Sequence, residues 1–127
     1  FDDTYALLHH VEAAIVKSGT ASLETALFNV PEVVCYKTNR LTFAIGKRLV
    51  KVKYVSLVNL ILGKESVKEL LQNDLNYQNI KTELKKLLNP DYRAGVLEDY
   101  KKLKKLIGEK GASDRVAVKM IQYLKKV

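Results

Sequence analysis

Ala13-Ala14-Ile15-Val16, then Ser18-Gly19-Thr20, then residues 21–28 with Leu23 and Leu27 one helical turn apart, then Val33-Val34-Cys35-Tyr36: this order decides the fold. A short apolar run, a glycine break, a helical segment and a second β-branched run read as strand, tight loop, helix and strand, which is a βαβ unit. Asn29-Val30-Pro31 closes the helix. Two strands joined by one helix pair in parallel with a right-handed crossover, and open sheets of this kind bind ligands beyond the carboxyl ends of their strands. The loop at Ser18 lies at such an end.

Outward from this unit, Thr4 is expected to cap a short helix over 5–10. On the other side, 41–50 reads as an amphipathic, basic helix, 54–57 (Tyr54-Val55-Ser56-Leu57) as a third short strand and 59–63 as irregular. Helical periods follow over 65–72, 77–88, 91–107 and 114–126, with Asn76 and Ser113 as N-caps and Gly108 and Gly111 punctuating the last connection. The expected class is α/β: a parallel sheet in front, with a helical rear half covering it as one domain.

Length and composition agree. The 127 residues are 47% hydrophobic and 28% charged, which suits one globular domain. No apolar stretch approaches the roughly 20 residues needed to cross a bilayer, and Phe1-Asp2-Asp3 lacks the basic-then-apolar order of a secretory signal, so a cytosolic domain is expected. The chain starts without an initiator Met and runs straight into a helical pattern. It is therefore expected to be a piece of a longer protein, with part of its site elsewhere. Cys35 is the sole cysteine, so no internal disulfide forms, and no Cys/His set has zinc spacing.

The net charge is +8. Its informative part is 37–53, where Lys37, Arg40, Lys47, Arg48, Lys51 and Lys53 occur with no acid among them. Such a field attracts phosphate on a nucleotide, a nucleic acid or an anionic lipid surface without choosing among them. A solvated basic face is the plain alternative.

The strongest local argument for chemistry is Ser18-Gly19-Thr20-Ala21-Ser22-Leu23-Glu24. A glycine between two hydroxyl residues lets backbone approach an anion, and the following helix aims free N–H groups and its positive dipole end at it. A diphosphate suits that place. Glu24, one turn beyond Thr20, is suited to accept two hydrogen bonds from a vicinal diol such as a ribose. With Thr20 as N-cap a capping box would need its acid at position 23, which is Leu23, so capping does not explain Glu24. An ordinary capped helix with a surface glutamate is the alternative. A second cluster, Asn59 with Gly63 and Lys64, reads either as a loop facing the same ligand or as a simple turn. His9-His10 reads as a helix end and Cys35 as a small core residue. The aromatic residues carry no ribonucleoprotein signature.

The 18–24 motif, followed by Val30-Pro31, Lys47-Arg48-Leu49-Val50-Lys51-Val52, Tyr54-Val55-Ser56-Leu57-Val58-Asn59-Leu60-Ile61, Gly63-Lys64-Glu65 and Glu69-Leu70-Leu71-Gln72, resembles the C-terminal half of the lipid-A-disaccharide synthase family. Its looser form is shared with other nucleotide-sugar glycosyltransferases, whereas the 47–72 block is more particular. The sequence departs from the family pattern in having Ser22 for Thr, Val58 for Pro, Leu62 for a small residue and Lys64 for Arg. The last change gives up bidentate phosphate geometry.

The resemblance implies a GT-B glycosyltransferase of two Rossmann-like halves, with residues 1–127 forming most of the UDP-sugar-binding half and an N-terminal acceptor half lying outside this chain. The implied reaction joins UDP-2,3-diacylglucosamine to 2,3-diacylglucosamine 1-phosphate with inversion, releasing UDP, in lipid A biosynthesis of Gram-negative bacteria. Carried over by position, Ser18, Gly19 and Thr20 hold the diphosphate, Glu24 the ribose, and Asn59 contacts the donor side. The catalytic base is expected on the other half, no metal or cofactor is expected, and the fragment alone is expected to be inactive. Arg40, Lys47, Arg48 and Lys51, beside apolar neighbours, are candidates to hold the enzyme against the inner face of the inner membrane. Nucleic acid is not an expected partner, and a homo-oligomer stays open. The competing readings are another UDP-sugar GT-B enzyme and a basic, non-enzymatic module that binds nucleic acid or membrane.

Overall fold

The computed structural model describes residues 3–39, 53–108 and 112–124. Helix α1 (Thr4–His10) leads into β1 (Ala14–Lys17), α2 (Thr20–Leu27) and β2 (Glu32–Tyr36), which is the expected βαβ unit. Its strands are parallel, in the register Ile15 to Val33 and Val16 to Val34. Asp3 caps α1, accepting from the N–H groups of Tyr5 and Ala6, so Thr4 is the first helical residue rather than the cap. At the far end of α2, Asn29 takes a left-handed φ of 60°. There Val30 N–H donates to Thr25 O and Asn29 N–H to Ala26 O, which is a Schellman closure that turns the chain into β2.

Downstream, the structure corrects several expectations. The run read as a third strand at 54–57 is the approach to helix α3 (Leu57–Leu62), which takes in most of the stretch read as irregular. Ser56 caps it, its hydroxyl accepting from Asn59 N–H, and Gly63 ends it at φ 68°. The third strand is instead β3 (Lys68–Leu71), inside the segment read as a helix over 65–72. It extends the sheet in the order β1-β2-β3, all parallel. A 3₁₀ turn (Gln72–Asp74) leads to α4 (Tyr77–Leu87), capped by Asn76 as expected, and to α5 (Pro90–Ile107), capped by Asn89 with Pro90 in its first turn. Helix α6 (Ala112–Leu124) begins before Ser113, which therefore lies inside it and is not its cap. The helix expected over 41–50 and Gly111 lie outside the described residues.

The core explains the layering. Both Val33 and Val34 are fully buried, so the central strand is covered on both faces. Helix α2 packs on β1 and β2, α4 packs on β2 and β3, and α5 closes over α2, α3 and α4. Tyr100 and Leu103 of α5 are fully buried in one cluster with Ala26, Val58, Val67, Leu70, Leu87 and Val96. The rear helices α4 and α5 therefore dock on this sheet and complete its core. The arrangement is a Rossmann-like α/β layer with a helical C-terminal part. Among the described residues no helix is long and apolar enough to cross a membrane.

Candidate functional site

At the carboxyl end of β1 the chain turns through Ser18 and Gly19 into α2. Gly19 is the N-cap, at φ 156° and ψ −162°, a conformation open essentially to glycine alone. Thr20, expected as the cap, is instead the first helical residue. A Cβ built on Gly19 would meet nothing within 4 Å, so backbone conformation, and not crowding, requires the glycine. Ser22 ties the turn down, its hydroxyl donating to Gly19 O at 2.8 Å. The N–H groups of Gly19, Thr20 and Ala21 find no acceptor among the described residues. They are unspent donors at the positive end of a helix dipole, the arrangement that receives an anion.

Ser18 has a different part. Its N–H donates to Cys35 O at 2.9 Å and its hydroxyl to Val55 O at 3.1 Å, so neither donor is left for a ligand. It fixes the loop between the end of β2 and the approach to α3. Glu24 is exposed, one turn beyond Thr20, and makes no ion pair or side-chain hydrogen bond among the described residues.

Asn59 is fully buried on α3 with its amide saturated. Nδ2 donates to Val67 O at 2.8 Å and to Glu69 Oε1 at 2.9 Å, while Oδ1 accepts from Ser66 N–H at 2.7 Å and Val67 N–H at 3.0 Å. These bonds fasten α3 to the entrance of β3. Glu69 in turn accepts from Val55 N–H through both oxygens, at 3.1 and 2.9 Å, and from Ser56 N–H at 2.9 Å. The Gln72 amide, turned so that it meets the backbone of Thr38, donates to its carbonyl at 2.9 Å and accepts from its N–H at 3.3 Å. Sequence reasoning gave Glu69, Gln72 and the Ala21 amide no role. A hydroxyl-x-x-amide pair, Ser56 with Asn59, was the available signal for a helix start at 57.

The structure does not bring Gly63 and Lys64 to the 18–20 loop. Helix α3 runs away from that loop, so Gly63 and Lys64 lead into the amino end of β3, the opposite end of a parallel sheet. There Lys64 Nζ lies 2.6 Å from the Asp99 carboxylate. Burial pushes the Asp99 carboxyl up, but hydrogen bonding and charge from Lys64, with a further contribution from Lys102, bring it below its usual range. The same end holds Glu32, fully buried, with neither carboxyl oxygen hydrogen-bonded among the described residues. Burial pushes its pKa up to about 9. Tyr100, also fully buried, has its hydroxyl raised by burial and by the neighbouring Glu32.

The remaining sequence readings fall as follows. His9 and His10 end α1, exposed, with His9 set edge-on to Phe28 at 5.0 Å. Cys35 is half-buried against the core, and burial raises its thiol pKa, so it is no activated nucleophile. Arg40, Lys47, Arg48 and Lys51 lie outside the described residues.

A parallel α/β sheet with unspent amides after its first strand belongs to the class of open α/β folds that gather their loops beyond the carboxyl ends of the strands. Comparison with known proteins makes the class specific. The family model described as lipid-A-disaccharide synthetase matches residues 2–121. The lipid-A-disaccharide synthase of Syntrophus aciditrophicus is 39% identical over 97% of this chain and 32% of its own length. That of Persephonella marina is 43% identical over 90% of the chain and 30% of its length. That of Psychromonas ingrahamii is 48% identical over 80% of the chain and 26% of its length. The chain belongs to the lipid-A-disaccharide synthetase family. It spans about a third of the length of these relatives.

Proposed function

We propose that residues 1–127 are the UDP-sugar-binding part of an inverting GT-B glycosyltransferase. The reaction transfers 2,3-diacylglucosamine from UDP-2,3-diacylglucosamine to 2,3-diacylglucosamine 1-phosphate and releases UDP. The observation that carries this reading is the set of three unspent amides, Gly19, Thr20 and Ala21, at the start of α2 in a chain of this family. The acceptor 6-hydroxyl attacks the anomeric carbon of the donor. The bond from that carbon to the diphosphate oxygen breaks, and the acceptor proton passes to a general base. Negative charge grows on the departing diphosphate. Fixed N–H donors and a helix dipole stabilise such charge without reorganising, and one donor of this kind is worth on the order of 10²-fold in rate.

Within this scheme the diphosphate rests on Gly19, Thr20 and Ala21, with Ser18 holding the loop in place rather than touching the ligand. Glu24 receives the ribose hydroxyls. Asn59 serves the donor side through the turn that it fastens. The base and most of the acceptor site belong to an N-terminal half of the same enzyme. Arg40, Lys47, Arg48 and Lys51 hold the enzyme peripherally at the inner face of the inner membrane, where acylated substrates reside.

The test is disaccharide formation by the full-length protein from the two lipid substrates. UDP release with formation of the tetraacyl disaccharide 1-phosphate is the expected result, and hydrolysis or transfer to a different acceptor alone would refute the assignment.

A further inference from the structure

Among the described residues, the one segment outside the βαβ unit that hydrogen-bonds to the 18–20 loop is itself gripped by a carboxylate. Val55 gives its carbonyl to the Ser18 hydroxyl and its N–H to both oxygens of Glu69. Glu69 Oε1 takes two further donors, Ser56 N–H and Asn59 Nδ2, both at 2.9 Å. Three donor groups thus converge on one carboxylate of β3, at the position that pairs with the fully buried Val34 of the central strand. A carboxylate accepts such a set with both oxygens, whereas an amide offers one acceptor and turns an NH₂ toward a backbone N–H. Three residues on, the Gln72 amide grips Thr38, at the exit from β2, in the same two-point fashion.

We propose that Glu69 is a positioning residue for nucleotide binding: it fixes Val55 on the rigid sheet, Val55 fixes Ser18, and Ser18 fixes the amides of Gly19, Thr20 and Ala21. This rests on the nucleotide reading given above. A purely structural carboxylate would lower stability without singling out one substrate. A positioning residue weakens the diphosphate contact in protein that is still folded, and it does so through Ser18.

The experiment uses the full-length protein, with UDP affinity measured by calorimetry and steady-state kinetics run against both substrates. In Glu69→Gln we expect UDP affinity to fall about tenfold, the order expected for disturbing charge-assisted hydrogen bonds. KM for the UDP-sugar should rise in step while KM for the lipid acceptor stays put. Ser18→Ala should weaken UDP binding in the same sense, and the double variant should be no weaker than the worse single one, since both cut the same link. Equal UDP affinity in wild type and folded Glu69→Gln, or losses that simply add, overturn the inference while leaving the nucleotide site standing. Failure of the wild-type protein to bind UDP overturns the nucleotide reading and this inference with it. Should Glu69→Gln not fold, Ser18→Ala decides alone: unchanged UDP affinity there breaks the proposed link.

Discussion

The hydroxyl of Ser18 and the carbonyl of Val55, 37 residues apart in sequence, meet at 3.1 Å. This bond joins the loop after the first strand to the start of α3, and it removes Ser18 from the list of free donors. What remains for an anion is backbone: three consecutive amides whose direction is set by the geometry of Gly19.

That geometry is testable. Gly19→Ala places a Cβ in open space but on a backbone that L-residues avoid, at φ 156°. Strain of about 1–3 kcal/mol is expected. The loop relaxes, and UDP affinity falls about tenfold while the far-ultraviolet spectrum stays native. Isothermal titration alongside thermal melting checks both halves of this expectation. Wild-type affinity in the variant would show that the amides need no such turn.

Glu24 separates binding from stability. It is exposed and makes no hydrogen bond or ion pair among the described residues, so Glu24→Ala leaves the melting temperature within about the scatter of surface substitutions. UDP affinity should nevertheless drop about tenfold, with uracil-containing ligands that lack ribose hydroxyls losing nothing. A variant that binds UDP as wild type does removes the ribose role from this residue.

Glu32 predicts a pH dependence with a definite sign. Its folded-state pKa is pushed from 4.5 up to about 9, so between these values the folded protein holds a proton that the unfolded chain releases. Its contribution to stability is therefore fully present below about pH 4.5 and declines as pH rises to about 9. At about 1.4 kcal/mol per unit, the cost near pH 7 is roughly 3 kcal/mol. Glu32→Met, of similar length and apolar, should be more stable than wild type by a margin that widens from about pH 6 to about pH 8.5. Urea denaturation across that range measures it. A constant margin would mean that the carboxyl is ionised, and therefore paired, in the folded protein.

The basic segment bears on membrane association. Reversing Lys47, Arg48 and Lys51 to Glu should abolish co-sedimentation of the full-length protein with anionic liposomes and leave binding to free UDP intact. A basic neighbour near an anionic surface is worth about 1 kcal/mol. Unchanged co-sedimentation would place the membrane contact elsewhere.

How far the sequence disclosed this architecture varies along the chain, for physical reasons. Residues 13–36 were legible because each signal was local: a β-branched run, a glycine, two leucines at i, i+4, and a proline before the next strand. Residues 54–72 were not. Tyr54-Val55-Ser56-Leu57 has strand composition, yet Ser56 is a helix cap held by Glu69. The segment from Glu65 onward is rich in helix formers, yet Lys68–Leu71 is a strand, because the edge of β2 is available for pairing and Asn59 pins the two residues before it. Tertiary partners overrode propensity in both places. The candidate site divides in the same way. Glycine and the helix start could be read in sequence. The internal employment of Ser18 and Asn59 could not, since their partners lie 37 and up to 10 residues away and depend on the packed sheet.

The central claim is that free amides at the start of α2 receive the diphosphate of a uridine nucleotide. Titrating UDP into the isotopically labelled full-length protein and following backbone amide resonances tests it most directly. The account predicts saturable shifts concentrated on Gly19, Thr20 and Ala21, with Glu24 following. Shifts centred on another part of the molecule, or none at millimolar UDP, would contradict it.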